Sequence, residues 1–218
     1  RFALADDRMG IDGRSQCADS IFAFINAQDA DIICLQEFYL KDLQKLKSYL
    51  ASKMKGYRAE YYMFPSRNGA FGNVTLSRLP VTGKGKIKFE ESANLAIYTD
   101  HKVGDRRFRV YNCHFESYNV SVSGLMRGLV QRDSLLISST GDKMKRSITR
   151  RPKQVDQVFS HIEDCPVESF VCGDFNDNPM SYTYYRMTRG RKDAFVEAGN
   201  GFGATFAILW PALRIDYV

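Results

Sequence analysis

Four apolar runs in this chain end in, or carry, side chains that chemistry uses. Asp31-Ile-Ile-Cys-Leu35 runs into Gln36-Glu37, and Val110–Phe115 carries Asn112 and His114 and leads to Glu116. Ser169–Cys172 opens onto Gly173-Asp174-Phe175-Asn176-Asp177-Asn178-Pro179, and the last five residues, from Arg214, carry Asp216. A rigid strand end is a good platform, because a catalytic group must be held within a fraction of an ångström. The set is rich in oxygen donors and holds one imidazole, which suits a hard cation such as Mg2+ rather than zinc. Phosphoester hydrolysis wants such a set. A metal neutralises phosphate oxygens, a carboxylate or amide positions the attacking water, and a histidine stabilises the developing charge.

Taken singly, each residue has a plainer reading. Glu37 reads as a solvated strand end and His114 as a satisfied core histidine. Asp174 and Asn176 fit ordinary turns, since Asx side chains bond their own backbone. Asp216 reads as a buried partner of Arg214, although neighbours in a strand point to opposite faces. Only the combination points to catalysis.

The elements that must hold these residues can be read in outline. Ala18, Ile21, Phe22 and Ile25 recur at helical spacing, with Asp12 or Ser15 as the cap. Asp31–Leu35 is a continuous apolar run of the kind buried on both faces. A second helix is expected from Lys41 to Met54, with Leu43, Leu46 and Leu50 on one side. Short β-rich runs follow at Tyr57–Phe64, Val74–Leu76, Ile87–Phe89, Asn94–Thr99 and Arg107–Phe115, and Gly104-Asp105 reads as a hairpin turn. Helices are expected from Leu125 to Ser138 and from Lys153 to Ile162, with Gly141–Arg151 as a basic, solvated loop between them. A short helix at Tyr182–Met187 and a terminal strand from Arg214 complete the outline. Strands in the middle and helices at both flanks predict sheets covered by helices on their outer faces.

Composition sets bounds without naming a partner. The 218 residues are 44% hydrophobic and 26% charged, enough for one sizeable core. No apolar run approaches the roughly 20 residues of a membrane helix, so a soluble domain is expected. The net charge of +6 favours polyanions, but a modest positive balance also serves solubility. Five cysteines, three of them inside strand-like runs and none in a CxxC pair, argue against both a disulfide framework and a zinc site. The compartment stays open. Arg1 at one end and a strand beginning at Arg214 at the other give the expectation of a fragment.

In their order, these motifs resemble those of the endonuclease/exonuclease/phosphatase superfamily, of deoxyribonuclease I type. Leu35-Gln36-Glu37 resembles its Leu-Gln-Glu motif and Asn112-Cys-His114 its Asn-x-His strand. Gly173-Asp174-Phe175-Asn176 is similar to its Gly-Asp-Phe-Asn signature, and Arg214-Ile-Asp216-Tyr to its Arg-Ile-Asp-Tyr segment. The resemblance implies a single domain over residues 1–218, folded as a four-layer α/β/β/α sandwich and lacking its first and last strands. It implies Glu37 as a metal ligand, for Mg2+ with Mn2+ as the alternative, and His114 on the scissile phosphate. Asp174 would orient or deprotonate the water, Asn176 would bind a phosphate oxygen, and Asp216 would orient a second histidine. Asn112 and Arg67 are the expected substrate contacts, the loop from Pro65 to Asn73 that holds Arg67 being read otherwise as a plain hairpin. An asparagine ligand expected upstream and a Ser-Asp-His segment expected downstream are not in this sequence.

The resemblance does not name a substrate; nucleic acids and phospholipid headgroups both belong to the superfamily. The basic run Lys143, Lys145, Arg146, Arg150, Arg151 and Lys153 could track a polyanion or simply be solvated. Phe202, Phe206 and Trp210 could stack on a base, line a lipid-facing rim or pack in the core. The segment from Asn176 to Tyr217 is similar to a bacterial subgroup whose domain often follows N-terminal membrane helices, which implies a membrane tether outside this sequence. The expected function is a metal-dependent phosphoester hydrolase, a phosphodiesterase or nuclease, acting as a monomer. The alternative is a binding module that kept the fold and lost catalysis.

Overall fold

The β-rich middle of the chain forms two sheets whose inner faces carry the candidate residues. The computed structural model describes residues 11–118, 134–206 and 213–218. Two compact units can be distinguished. One takes in the chain up to His114, together with Cys165–Asp174 and Val218; the other comprises Phe115–Asp164 and Phe175–Tyr217.

In the first unit, helix α1 (Ile11–Ala27) and helix α2 (Leu46–Lys53) accompany strands β1 (Ile32–Leu40), β2 (Arg58–Ser66) and β3 (Gly69–Ser77). These strands form an antiparallel sheet in the order β1-β3-β2. Strands β4 (Val81–Lys88), β5 (Leu95–Val103), β6 (Arg106–His114) and β7 (Glu168–Asp174) follow one another in the second sheet. Pairing there is antiparallel except between β6 and β7, which run parallel. The hairpin at Gly104-Asp105 is present, with Gly104 at φ 60°.

Alternation decides which residue faces which layer. On the helix side of the first sheet, Phe38, Val74 and Leu76 pack with Phe22, Leu46, Leu50 and Met54, all at most 2% exposed. Each such side chain stabilises the fold by roughly 1.5–3 kcal/mol. The opposite face looks to the second sheet and is unusually polar. Asn73, Thr75 and Ser77 from β3 and Thr99, His101 and Asn112 from β5 and β6 are buried there. Helix, sheet and sheet thus make three layers.

The second unit is mainly helical: α3 (Ser134–Glu163), α4 (Tyr182–Thr188) and α5 (Ala194–Ala198), with a two-residue strand, β8 (Asp216–Tyr217). Ser181 caps α4 through Tyr184 N, and Asp193 caps α5 through Phe195 N and Val196 N. Phe115, Phe175, Tyr184 and Tyr217 form a chain of aromatic contacts with centroids 4.9–5.4 Å apart.

Three local expectations need correction. Helix α1 begins at Ile11, so Asp12 and Ser15 lie inside it instead of capping it. Leu43 belongs to a short 3-10 turn (Leu43–Lys45) and is 41% exposed, unlike Leu46 and Leu50. Gly141–Arg151 is not a loop but the middle of α3. Its buried face runs Thr140, Ser147, Arg151, Gln154, Val155, Val158, Phe159, Ile162. That face keeps helical spacing but is polar in its first half, so no apolar periodicity announced it. The expected start near Leu125, and Trp210, lie outside the described residues.

Candidate active site

Glu37 owes its position to a defect in β1. Pairing with β3 runs Cys34↔Thr75 and Leu35↔Val74, then resumes at Phe38↔Gly72. Three steps on β1 therefore oppose two on β3, and the extra residue is absorbed at Gln36-Glu37. Glu37 takes φ 50°, a left-handed conformation that costs a non-glycine residue roughly 1–3 kcal/mol. Bulges of this kind re-aim side chains at the ends of pairing.

The bulge is held from the second sheet. Asn112, fully buried on β6, accepts a hydrogen bond from Gln36 Nε2 at 2.7 Å through its Oδ1. Its Nδ2 faces Leu35 O at 3.3 Å, Val74 O at 3.0 Å and Thr75 Oγ1 at 3.3 Å. Asn73 answers from β3, its Nδ2 donating to Leu95 O at 3.2 Å and Asn112 O at 3.1 Å. Two buried amides thus fasten the two sheets just below Glu37. Asn112, the expected substrate contact, has zero exposure, and its side-chain amide is engaged by Gln36 and by β1 and β3.

His114 ends β6, two residues beyond Asn112 on the same face, and its Nε2 lies 3.9 Å from Glu37 Oε1. Asp174 is its register partner at the end of parallel β7. Carboxyl ends of parallel strands are where open α/β sheets bind ligands. Gly173 makes this pairing feasible, because a Cβ there would stand 1.9 Å from Cys113 O. Glu37, His114 and Asp174 therefore come from three strands of one unit, and Lys88, Leu95, His114 and Asp174 form one row across the second sheet. Arg67 is placed apart, exposed at the two-residue tip of the β2–β3 hairpin. Pro65–Ser66 and Gly69–Asn73 on either side of it are strand, so the segment is a plain hairpin.

Asn176 and Asp216 belong to the second unit. Asn176 adopts φ 53° and donates from Nδ2 to Phe115 O at 2.9 Å. Its neighbour Asp177 is pinned by Arg151 Nη1 and Thr183 Oγ1, each 2.9 Å from Oδ2, while Tyr217 Oη donates to its carbonyl at 2.9 Å. Arg151 also donates to Glu116 O at 2.8 Å; it is buried, not part of a solvated basic run. Asp216 carries a carboxyl pushed up by burial, against a hydrogen bond with Thr205 that lowers it. Arg214 does not pair with it. Its guanidinium forks onto Asp193 at 3.0 and 2.7 Å.

Sequence reasoning missed Gln36, Asn73, Asp177 and Asp193. Asn73 left a signal, a lone amide inside the apolar run Ala70–Leu76. Among the described residues, Cys34, Cys113, Cys165 and Cys172 are free thiols. No three His, Cys, Asp or Glu side chains among those residues gather as they would around a metal ion. No helix among them is long and apolar enough to cross a membrane.

Residues 9–218 match the model of the Endonuclease/Exonuclease/phosphatase family. The human Nocturnin catalytic domain with bound sulfate anion is similar in structure, with TM-score 0.62 and 16% identity, over 91% of this chain and 72% of that one. An endonuclease/exonuclease/phosphatase family protein from Leptotrichia buccalis gives TM-score 0.62 and 12% identity, over 99% and 83%. D. rerio TDP2 complexed with single-strand DNA product gives 0.61 and 14%, over 97% and 77%. No curated protein matches the chain. At such identities the likeness is one of fold, and the mixed α/β, two-sheet deoxyribonuclease I-like fold expected from the motifs is the fold found.

Proposed function

Because the chain belongs to the endonuclease/exonuclease/phosphatase family, we propose that it hydrolyses phosphoesters, diesters above all, by in-line attack of water on phosphorus. The observation that carries this reading is the 3.9 Å approach of Glu37 to His114, at a bulge that serves no pairing, beside Asp174. A strained carboxylate at a bulge within β1, next to a histidine at the end of β6, is costly to hold, and such strain clusters at functional sites. Two proteins of similar structure, one with bound sulfate and one with a single-strand DNA product, support an anionic phosphoester substrate. Because the family match runs through both compact units, we treat them as one catalytic domain.

In this reading Asp174 accepts the proton of the attacking water. The water oxygen bonds to phosphorus as the ester oxygen leaves, and His114 meets the charge that develops on the phosphoryl oxygens. Asn176 offers its amide to one of those oxygens and Arg67 meets a more distant phosphate; Asp216 would orient the second histidine of the family pattern, which this sequence does not contain. Asn112 acts through Gln36, by holding the bulge.

Mg2+ takes one or two protein carboxylates and completes its shell with water and phosphate oxygens. Glu37 fits that smaller demand, and Mn2+ accepts the same donors. Such an ion, when bound, would neutralise phosphate charge and polarise the ester. A non-catalytic binding module is the second reading.

Hydrolysis of a diester in 18O-labelled water with Mg2+ present tests the proposal. The label should enter the phosphate product. Label in the alcohol, or no turnover with any diester offered, would contradict it.

A further inference from the structure

Beside Glu37 the first sheet carries a row of aromatic side chains that its core does not need. Phe38 turns to the helices, so Tyr39 turns the other way, and it is the register partner of Phe71, which pairs in turn with Phe64. Phe64 and Phe71 have centroids 5.9 Å apart at a 34° tilt, and Tyr62 meets Phe64 edge-on at 5.1 Å. All four are only partly buried. They share the face of Asn73, and Tyr39 stands two residues beyond the bulge.

The second sheet sets cations against this shelf. Its edge strand β4 reads Val-Thr-Gly-Lys-Gly-Lys-Ile-Lys. Gly83 and Gly85 fall where a Cβ would strike Asp100 and Tyr98, while Lys84, Lys86 and Lys88 occupy the other face. Their partners Thr99, Ile97 and Leu95 share that face with Asn112 and His114. Lys84 pairs with Glu60, but Lys86 and Lys88 lie over the Tyr62 ring at 4.0 and 5.2 Å. Residues two apart on a strand repeat every ~6.7 Å, so these ammonium groups form a short positive track. It ends at Lys88, in the row of His114.

We infer that Tyr39, Phe64 and Phe71, with Lys86 and Lys88, form a platform for an unpaired nucleic-acid strand, bases stacked on the aromatics and phosphates on the lysines. The inference rests on the phosphoester reading and names its substrate class. Aromatic faces accept any base, but only where it is not already stacked in a duplex. Insertion into a lipid surface would need an apolar tip beyond the shelf, and the exposed hairpin tip there is Ser66-Arg67-Asn68.

The test is fluorescence anisotropy of the full chain with short oligothymidylate and oligouridylate, a blunt duplex, and phosphatidylcholine vesicles containing a phosphoinositide. All are measured in EDTA, so that binding is read without turnover. Single strands should bind at least tenfold tighter than the duplex. Phe71→Leu should weaken single-strand binding about tenfold, the loss of one stacked base. Lys86→Gln with Lys88→Gln should flatten the slope of log K against log salt by about 1.4, near 0.7 for each phosphate contact. Thermal melts establish that each variant is folded, and if Phe71→Leu is not, the exposed lysines decide. An unchanged slope, equal binding to duplex, or a loss confined to vesicles overturns the inference. A chain that hydrolyses diesters yet binds oligonucleotides alike in every variant refutes this inference alone. One that binds as described but never turns over refutes the hydrolase reading instead.

Discussion

Gln36 donates its side-chain amide to Asn112 Oδ1 across 2.7 Å, tying the residue before Glu37 to the strand that ends in His114. Because Asn112 also faces the carbonyls of Leu35 and Val74, one buried amide fixes both sides of the bulge. The spacing of Glu37 and His114 is therefore set from below, by residues that need not touch a substrate.

Asn112→Ala should show this directly. It takes the partner of the Gln36 amide and of two carbonyls away at a buried or part-buried position, at about 1–3 kcal/mol for each such group. Urea unfolding should register a loss of about 3–5 kcal/mol, after allowing for some relaxation. A loss below ~1 kcal/mol would mean that the amide is not the fastening described.

The bulge stores strain that glycine would release. At φ 50° Glu37→Gly should raise stability by about 1 kcal/mol, since glycine enters this region without steric cost. Glu37→Gln, which keeps the backbone problem, should leave stability within ~0.5 kcal/mol of the parent. Comparing the two by denaturant midpoint separates strain from charge. Destabilisation by glycine would show that the carboxylate supports the fold.

Asp193 and Arg214 make a pH-dependent clasp. Burial alone would raise the Asp193 carboxyl, but hydrogen bonds from Arg214 and Tyr184, with the Arg214 charge, hold it below the usual 3.8. A depressed acid contributes stability that is fully present above its unfolded value and is lost as pH falls through the lower folded value. Asp193→Asn can keep the cap on α5 yet strands the arginine, so it should cost about 3–5 kcal/mol at neutral pH. That difference should shrink below about pH 3.8. A constant difference across the acid range would argue that the charge is irrelevant.

His101 should act with the same sign in a higher pH window. Burial lowers its pKa from 6.5, against the pull of the Pro80 backbone and Asp100, and the ring rests on Phe108 with Nε2 2.8 Å from Thr99 Oγ1. Below 6.5 the unfolded chain takes up a proton that the native chain refuses, so stability falls as pH drops through this window. His101→Gln should remove that part of the slope in paired urea titrations at about pH 7.5 and about pH 5.5. An identical slope in both proteins would contradict the assignment.

The legible part of the site was the part that chemistry writes into short motifs. Glu37, His114, Asp174 and Asn176 stand beside apolar runs, and those runs marked their strands. What the sequence hid was support. Asn73 and Asn112 act across two sheets, a relation that no local pattern encodes, and the bulge at Gln36-Glu37 exists only against the register of β3. The buried face of α3 carries Thr140, Ser147 and Arg151, so hydrophobic periodicity was silent there and a helix read as a basic loop. Arg214 seemed a partner for Asp216 by proximity along the chain, yet its fork geometry selects Asp193.

The most direct measurement is the rate of diester hydrolysis in Mg2+ by the parent chain, Glu37→Gln and Asp174→Asn, each repeated with chelator. Turnover is expected in the parent, with its abolition by chelator and a fall of at least about 100-fold in either variant at unchanged thermal stability. Parental rates in both variants, or turnover indifferent to chelator, would contradict the hydrolase reading.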